Sequence, residues 1–124
     1  MTDMTRRLVD AYYAAWGSGD FERFGEILSD DFRFRGAIDR ADGPAAFVDL
    51  IRRNAPMFGE VGFGDVRRVV DGSRAVNLYV FEAGPARVPM AEAFEIRDDR
   101  IARIDLYFDP AALMAPASAP DTRP

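Results

Sequence analysis

The first half of the chain carries apolar residues at helical spacing. This period predicts three helices, over residues 5–18, about 21–28 and 44–54. The apolar face of the first helix is formed by Leu8, Tyr12, Ala15 and Trp16. Asp20 is expected to cap the second helix, and the third is expected to begin at Pro44 and to end before Pro56.

The second half of the chain changes to a period of two, which is typical of strands. Four long strands are predicted at roughly residues 61–70, 74–83, 87–97 and 100–108, joined by short turns rich in Asp and Gly. A shorter strand is predicted at residues 31–36, between the second and third helices. Loops this short make antiparallel hairpins, because a parallel crossover needs many more residues.

This order of elements predicts the α+β fold class. We expect a cone-shaped roll, in which a strongly curved, mostly antiparallel sheet holds the N-terminal helices on its concave face and leaves an open mouth. The length of 124 residues and the hydrophobic content of 48% fit one domain over residues 1–114, ending in a brief helix after Asp109. Residues 115–124 are small, polar and proline-rich, and are predicted to be a disordered tail.

The residue types that the chain lacks narrow its chemistry. It has no His and no Cys, and all 16 basic residues are Arg. These absences exclude Ser-His-Asp and Cys-His nucleophiles, zinc sites built on thiolate or imidazole, and a Lys Schiff base. We therefore expect no metal and no cofactor, and any acid–base chemistry has to use carboxylates and phenols.

The charge pattern bears on partners and location. The net charge is −5 and the arginines are scattered along the chain, so binding to nucleic acid is not expected. The N-terminus lacks the pattern of a secretory signal, and no apolar run approaches 18 residues, so we expect no membrane contact and a cytoplasmic location.

The alternation within the strand at residues 87–97 singles out Glu92. Its side chain is in phase with Met90, Phe94 and Ile96, so it is the one acid predicted to point among apolar side chains. Burial disfavours the ionised form and is expected to raise its pKa, which suits a neutral donor or a base near neutral pH. The alternative is a structural Glu at a frayed strand start or paired with a buried Arg.

Other candidates follow from the same reasoning. In the strand at residues 74–83, an amide and a phenol would converge near Glu92 if their phase faces the pocket, although Tyr79 could equally be a core residue with its hydroxyl at the rim. Tyr12 points inward from the first helix and its hydroxyl needs a partner. The expected substrate-binding residues are Trp16, Phe34, Asp39, Asn77, Tyr79, Phe81, Met90 and Phe94.

Three segments, "YYAAWGSGDFERFGEILSDDFRFRG", "GPAAFVDLIRR" and "EAFEIRDDRIARIDLYFD", resemble the nuclear transport factor 2-like superfamily in order and spacing. Within it, residues 5–114 resemble ketosteroid isomerases and SnoaL-like polyketide cyclases. The resemblance implies a cone fold and a homodimer joined through the outer sheet face. Its members include isomerases, cyclases, dehydratases, epoxide hydrolases and plain binding proteins, so the fold leaves the function open.

The resemblance also implies roles for single residues. Tyr12 matches the oxyanion-hole tyrosine of the isomerases, and Glu92 matches their protonated carboxylic acid. Gly36 stands where the isomerases have their proton-shuttling aspartate, so steroid isomerisation would need Asp39 as a substitute, or Glu92 itself as the base with Tyr12 and Asn77 as donors. The epoxide hydrolase pattern places an acid at Leu106 and an Arg-x-Asp triplet in residues 74–83, and neither is present.

Two functions remain open from the sequence. The first is a small-molecule enzyme, an isomerase, cyclase or dehydratase acting on an apolar oxygenated substrate such as a polyketide, steroid or terpenoid. Glu92 would transfer the proton, and Tyr12 would hydrogen-bond a carbonyl or enolate oxygen. The alternative is a non-catalytic module for small-molecule binding or dimerisation, in which Tyr12 and Glu92 only satisfy each other.

Overall fold

The computed structural model describes residues 2–114, which form four helices and six strands. The helices are α1 (Thr2–Ser18), α2 (Phe24–Ile27), α3 (Pro44–Phe58) and α4 (Pro110–Met114). The strands are β1 (Leu28–Arg35), β2 (Arg40–Asp42), β3 (Val61–Asp71), β4 (Arg74–Ala83), β5 (Ala86–Arg97) and β6 (Arg100–Phe108). The predicted disordered tail at residues 115–124 lies outside the described residues.

The six strands form one sheet in the order β2-β1-β6-β5-β4-β3. Strands β3 to β6 are consecutive antiparallel hairpins, and the one parallel contact of the described sheet joins β1 to β6. The sheet is curved and does not close on itself. The predicted α+β class and the mostly antiparallel, curved sheet are therefore confirmed.

The helices cover one face of this sheet. Helix α1 packs on β3 and β4, and α3 packs on β1 and β2. Their apolar faces meet a core dominated by aromatic rings, in which Phe24, Phe32 and Phe47 are at most 1% exposed. Burying large rings is the main source of stability in a domain of this size. No helix among residues 2–114 combines the length and the apolar character required to cross a bilayer.

Helix α3 differs from its predicted extent. The expectation that it ends before Pro56 is wrong, because the helix continues through that residue to Phe58. Proline has no N–H to donate to the carbonyl four residues earlier, so one helical bond is lost at Pro56, and the helix ends two residues later. The Gly59 N–H donates to the Ala55 carbonyl to close the turn, and the ring of Phe58 packs on Phe81 at 5.5 Å between centroids.

The segment before and after β1 also differs from the prediction. The second helix starts as a 3-10 turn at Phe21–Arg23, and the side chain of Asp20 makes no capping bond. Leu28, expected in this helix, begins β1 and pairs with Ile101. Strand β2 was not predicted, because three residues are too short to show a period of two. It pairs with β1 at the edge of the sheet.

Candidate functional site

Glu92 lies in the middle of β5, between Asn77 of β4 and Leu106 of β6. Side chains alternate between the two faces of a strand, so the apolar neighbours at Met90 and Phe94 bring Glu92 onto the same covered face. The residue is 2% exposed. A carboxyl group at such a depth is costly unless hydrogen bonds compensate for the water it has lost.

Three tyrosines donate hydrogen bonds to the carboxylate of Glu92. The Tyr12 hydroxyl lies 2.8 Å from Oε2, while the hydroxyls of Tyr13 and Tyr79 lie 2.7 and 2.8 Å from Oε1. Tyr12 and Tyr13 are consecutive in α1, and Tyr79 is in β4. The three phenols therefore hold one carboxylate from two different elements. We call these four residues the Glu92 cluster.

Tyr13 was not among the residues predicted from the sequence. Consecutive residues of a helix point about 100° apart, so only the face containing Tyr12 was expected to turn inward. In the structure the two rings flank the carboxyl group, with centroids 5.2 Å apart and planes at 83°. The adjacent tyrosines were the only available signal in the sequence.

The Glu92 cluster perturbs the acidity of all its members. Burial raises the pKa of Glu92 above its ordinary value, and the hydrogen bonds from the three phenols oppose that rise without cancelling it. Burial, together with the adjacent Glu92 charge, raises the pKa of Tyr12, Tyr13 and Tyr79 well above the ordinary value for tyrosine. The phenols are therefore fixed as donors, whereas Glu92 is suited to gain and lose a proton.

The Glu92 cluster borders a cavity of about 600 Å³, enclosed by the helices, the sheet and the β4–β5 turn. This volume is typical of small-molecule sites. Eight residues predicted from the sequence line this Glu92 cavity: Tyr12, Trp16, Phe34, Asp39, Tyr79, Phe81, Met90 and Glu92. The lining also includes rings that the prediction missed: Phe47, Phe58, Phe63 and Phe108.

Two residues expected at the cavity do not line it. Asn77 is buried and is not part of the lining, and its Oδ1 accepts a hydrogen bond from Nε of Arg68 at 2.8 Å. Phe94 packs in the core against Tyr12 and Tyr13, with ring centroids at 5.3 and 5.9 Å. Both side chains have the predicted strand phase but lie outside the cavity lining, and their contact with a ligand stays a prediction.

The mouth of the Glu92 cavity contains a second carboxylate. Asp39 lines the cavity and accepts a hydrogen bond from Nδ2 of Asn54 at 3.2 Å. Gly36 donates its N–H to the carbonyl of Asp39 at 2.7 Å. A Cβ atom at Gly36 would lie 3.0 Å from the ring of Phe34, so that ring occupies the space beside this position. Within residues 2–114, no group of three or more acidic side chains is arranged to hold a metal ion.

The raised pKa of Glu92 predicts how stability depends on pH. Between the ordinary and the raised pKa, the folded protein binds a proton that the unfolded chain has released, so the free energy of unfolding falls as pH rises. We expect the wild type to lose stability relative to Glu92→Gln as pH is raised from about 4.5, by about 1.4 kcal/mol for each unit of pKa elevation. Urea unfolding of both proteins across this pH range measures the difference in their free energies of unfolding. The other carboxyl groups contribute equally to both proteins, so their contributions cancel. Parallel curves would contradict the prediction.

Comparisons with known proteins agree with this architecture. A sequence profile described as the SnoaL-like domain matches residues 9–104. No sequence among the curated proteins matches the chain significantly. A candidate polyketide cyclase from Xanthomonas campestris superposes with a TM-score of 0.81 at 23% identity, covering 94% of this chain and 98% of its own.

Two further solved structures are similar to this chain. A candidate ketosteroid isomerase from Kribbella flavida has a TM-score of 0.74 at 23% identity, covering 87% of this chain and 79% of its own. An LEH-like epoxide hydrolase from M. tuberculosis has a TM-score of 0.68 at 30% identity, covering 90% and 86%. The predicted resemblance is confirmed: the profile spans most of the described residues, and the chain belongs to the SnoaL-like domain family.

Proposed function

We propose that this protein is a cofactor-free acid–base enzyme that isomerises, cyclises or dehydrates a polyketide-, steroid- or terpenoid-like substrate in the Glu92 cavity. The observation that carries the proposal is the Glu92 cluster: one titratable carboxyl group held by three phenols at the border of an aromatic cavity. A buried group with a raised pKa beside a cavity is a common feature of catalytic acids and bases.

The cluster supports a proton transfer in two steps. The Glu92 carboxylate takes a proton from a carbon next to a substrate carbonyl, and the electron pair moves to the carbonyl oxygen as an enolate. Once Oε2 carries that proton, the single O–H of Tyr12, which lines the cavity, is free to donate to the enolate oxygen instead and stabilises its charge. Glu92 then returns the proton to another carbon, which shifts the double bond, or to a departing hydroxyl group, which is released as water.

The other two phenols have different positions. Tyr79 also lines the cavity, where its ring is positioned to contact the substrate. Tyr13 does not line the cavity, and both Tyr13 and Tyr79 bind Oε1. These bonds hold the carboxyl group in place while Oε2, bound by Tyr12, exchanges the proton.

Hydrolysis of an epoxide is less well supported, although a relative of that description is 30% identical. The position that the epoxide hydrolase pattern gives to an acid is Leu106, whose apolar side chain lines the cavity beside Glu92. Leucine cannot activate water or donate a proton.

Asp39 at the mouth is the second carboxylate of the cavity, so it is the candidate for a relay of protons between Glu92 and solvent.

One observation favours a binding module without catalysis. Among the described residues, no buried side-chain nitrogen or oxygen lacks a hydrogen-bond partner, so each oxygen of the Glu92 cluster has at least one partner without a substrate. Solvent-exchange NMR separates the two functions. The enzyme is expected to exchange deuterium from D₂O into carbons next to the carbonyl of cyclic enones faster than buffer does. Bound enone without exchange above that of buffer would favour the binding module.

The outer sheet face is the proposed site of a homodimer. Val69 and Val76 pair across β3 and β4 and are 67% and 36% exposed, and Tyr107 of β6 is 63% exposed on the same face. Exposed apolar residues grouped on one sheet face are typical of an interface. A second copy of the chain would cover them by two-fold symmetry.

A cytoplasmic location, and the lack of membrane and nucleic-acid partners, stay predictions.

Val76→Asp is expected to convert the dimer into a monomer, because it buries two charges at a two-fold interface. Light scattering coupled to gel filtration measures the mass against the 13.8 kDa chain. Ala45→Asp adds the same charge at an exposed position of α3, away from the outer face, and is expected to leave the dimer intact. A wild type of monomer mass would refute the interface.

A further inference from the structure

We infer that the Glu92 cavity binds protonated lipophilic amines, with the ammonium group on the Glu92 carboxylate and the hydrocarbon groups against the aromatic lining. This ligand class differs from the neutral oxygenated substrates proposed above. The inference rests only on the cavity being a ligand site and does not require proton transfer. Three features support it: the negative charge of the cavity, an unoccupied hydrogen-bond acceptor position on Glu92, and the aromatic lining.

The charge of the cavity is uncompensated. Its described lining contains the carboxyl groups of Glu92 and Asp39 but no arginine, and arginine is the one basic residue type in the chain. The ion pairs among the described residues join arginines to other acids and leave both of these groups out. An anion in a buried apolar setting, without a cation beside it, favours a ligand that brings positive charge.

The Glu92 carboxylate keeps one position for such a ligand. An ionised carboxylate offers about four acceptor positions, two on each oxygen. Tyr13 and Tyr79 take the two on Oε1, while Tyr12 takes one on Oε2. The fourth position is therefore on Oε2, whose other hydrogen-bond partner, Tyr12, lines the cavity. One N–H of an ammonium group fills it with a charge-assisted bond.

The lining suits the rest of an amine. Trp16, Phe34, Phe63 and Phe81 present aromatic rings to the cavity, and Tyr79 adds a fifth ring next to Glu92. Ring faces attract a cation and bury alkyl or aryl groups equally well. A compact ammonium group with apolar substituents thus meets a complementary group on each side, while a highly polar amine would leave its other polar groups without partners.

Binding of two matched probes tests the inference. N,N-Dimethyl-2-phenylethylamine is cationic at neutral pH, and 4-phenyl-2-butanone is a neutral ligand of nearly the same shape. Quenching of Trp16, the single tryptophan of the chain, reports occupancy of the cavity for both. At about pH 8, where the amine is protonated and Glu92 is more ionised than at lower pH, the amine should bind about 10-fold tighter or more than the ketone.

Glu92→Gln should remove this preference, because it keeps the shape and removes the charge. Asp39→Asn should keep most of the preference for the amine. That result would show that the cation binds at Glu92 and not at Asp39. If Glu92→Gln does not fold, the wild type alone decides through pH. Amine affinity should fall as the pH is lowered, because Glu92 takes up a proton and loses its charge, while Tyr12, Tyr13 and Tyr79 stay protonated.

The outcomes separate this inference from the proposed function. If the ketone binds and the amine binds no tighter at about pH 8, the amine inference fails and the proposed enzyme stands. If the amine binds tighter but deuterium exchange stays at the rate of buffer, the enzyme proposal fails and the amine site stands. If neither probe quenches Trp16, the cavity is not a ligand site, and both fail.

Discussion

Glu92→Gln is expected to lower the rate of proton exchange or turnover by about 10²–10⁴-fold, the range typical of losing a general acid or base. Gln keeps the size of Glu and one acceptor oxygen, but its amide nitrogen donates rather than accepts, and the amide cannot carry a proton between two carbons. Glu92 is 2% exposed, so bulk water is poorly placed to take over its role. Initial rates of deuterium exchange, measured by NMR for the wild type and the variant, give the ratio.

Glu95→Gln provides the matched control. Glu95 is on the same strand as Glu92, on the opposite face, where its carboxylate lies 3.4 Å from Arg74 in an exposed ion pair. The same change of charge on the same strand should therefore leave the rate within about twofold, because exposed ion pairs contribute little. Equal rates for the wild type and Glu92→Gln, with both variants folded by circular dichroism, would refute the assignment of Glu92 as the proton carrier.

Phe24→Ala is expected to lower the free energy of unfolding by about 3–5 kcal/mol, the cost of removing a fully buried aromatic ring. Phe24 has no exposed surface and its ring contacts those of Tyr12, Trp16 and Phe47 at centroid distances of 5.4, 6.4 and 5.5 Å. A loss of this size is a large share of the stability of a small domain. Urea unfolding followed by Trp16 fluorescence measures it.

Met57→Ala is the control for this change. Met57 is 72% exposed in α3, so its truncation is expected to change stability by no more than about 0.5 kcal/mol. A cost below about 1 kcal/mol for Phe24→Ala would show that the ring is not a central part of the core, and that the helices are less firmly packed on the sheet than the structure indicates.

The sequence pattern identified the elements that have a sustained period. The strands from β3 to β6 are each nine or more residues long and α1 has 17 residues, so their type could be read from the chain. The same alternation located Glu92 among apolar neighbours. Short elements carry too few positions for a period, which is why β2 was missed and why the boundary at Leu28 was misplaced.

The sequence likewise predicted some features of the site residues and not others. Strand phase indicates which face a side chain takes, and Asn77 does take the covered face with Tyr79. Phase does not indicate the partner, and here Arg68 of the neighbouring strand binds the Asn77 amide. Tyr13 shows the converse: its helix phase gave no reason to choose it, yet it lies 2.7 Å from Glu92.

The sequence by itself determined the α+β class, the meander of hairpins, the absence of His, Cys and Lys chemistry, and the choice of Glu92 as the acid to examine. Those features depend on local periodicity and residue type, which are present in any segment of the chain. Only the tertiary structure decided that three phenols meet on that carboxyl group, that Phe34 takes the space beside Gly36, and that Asp39 stands at the mouth. These contacts join residues up to 80 positions apart, and their distances depend on how α1 and α3 lie across the curved sheet.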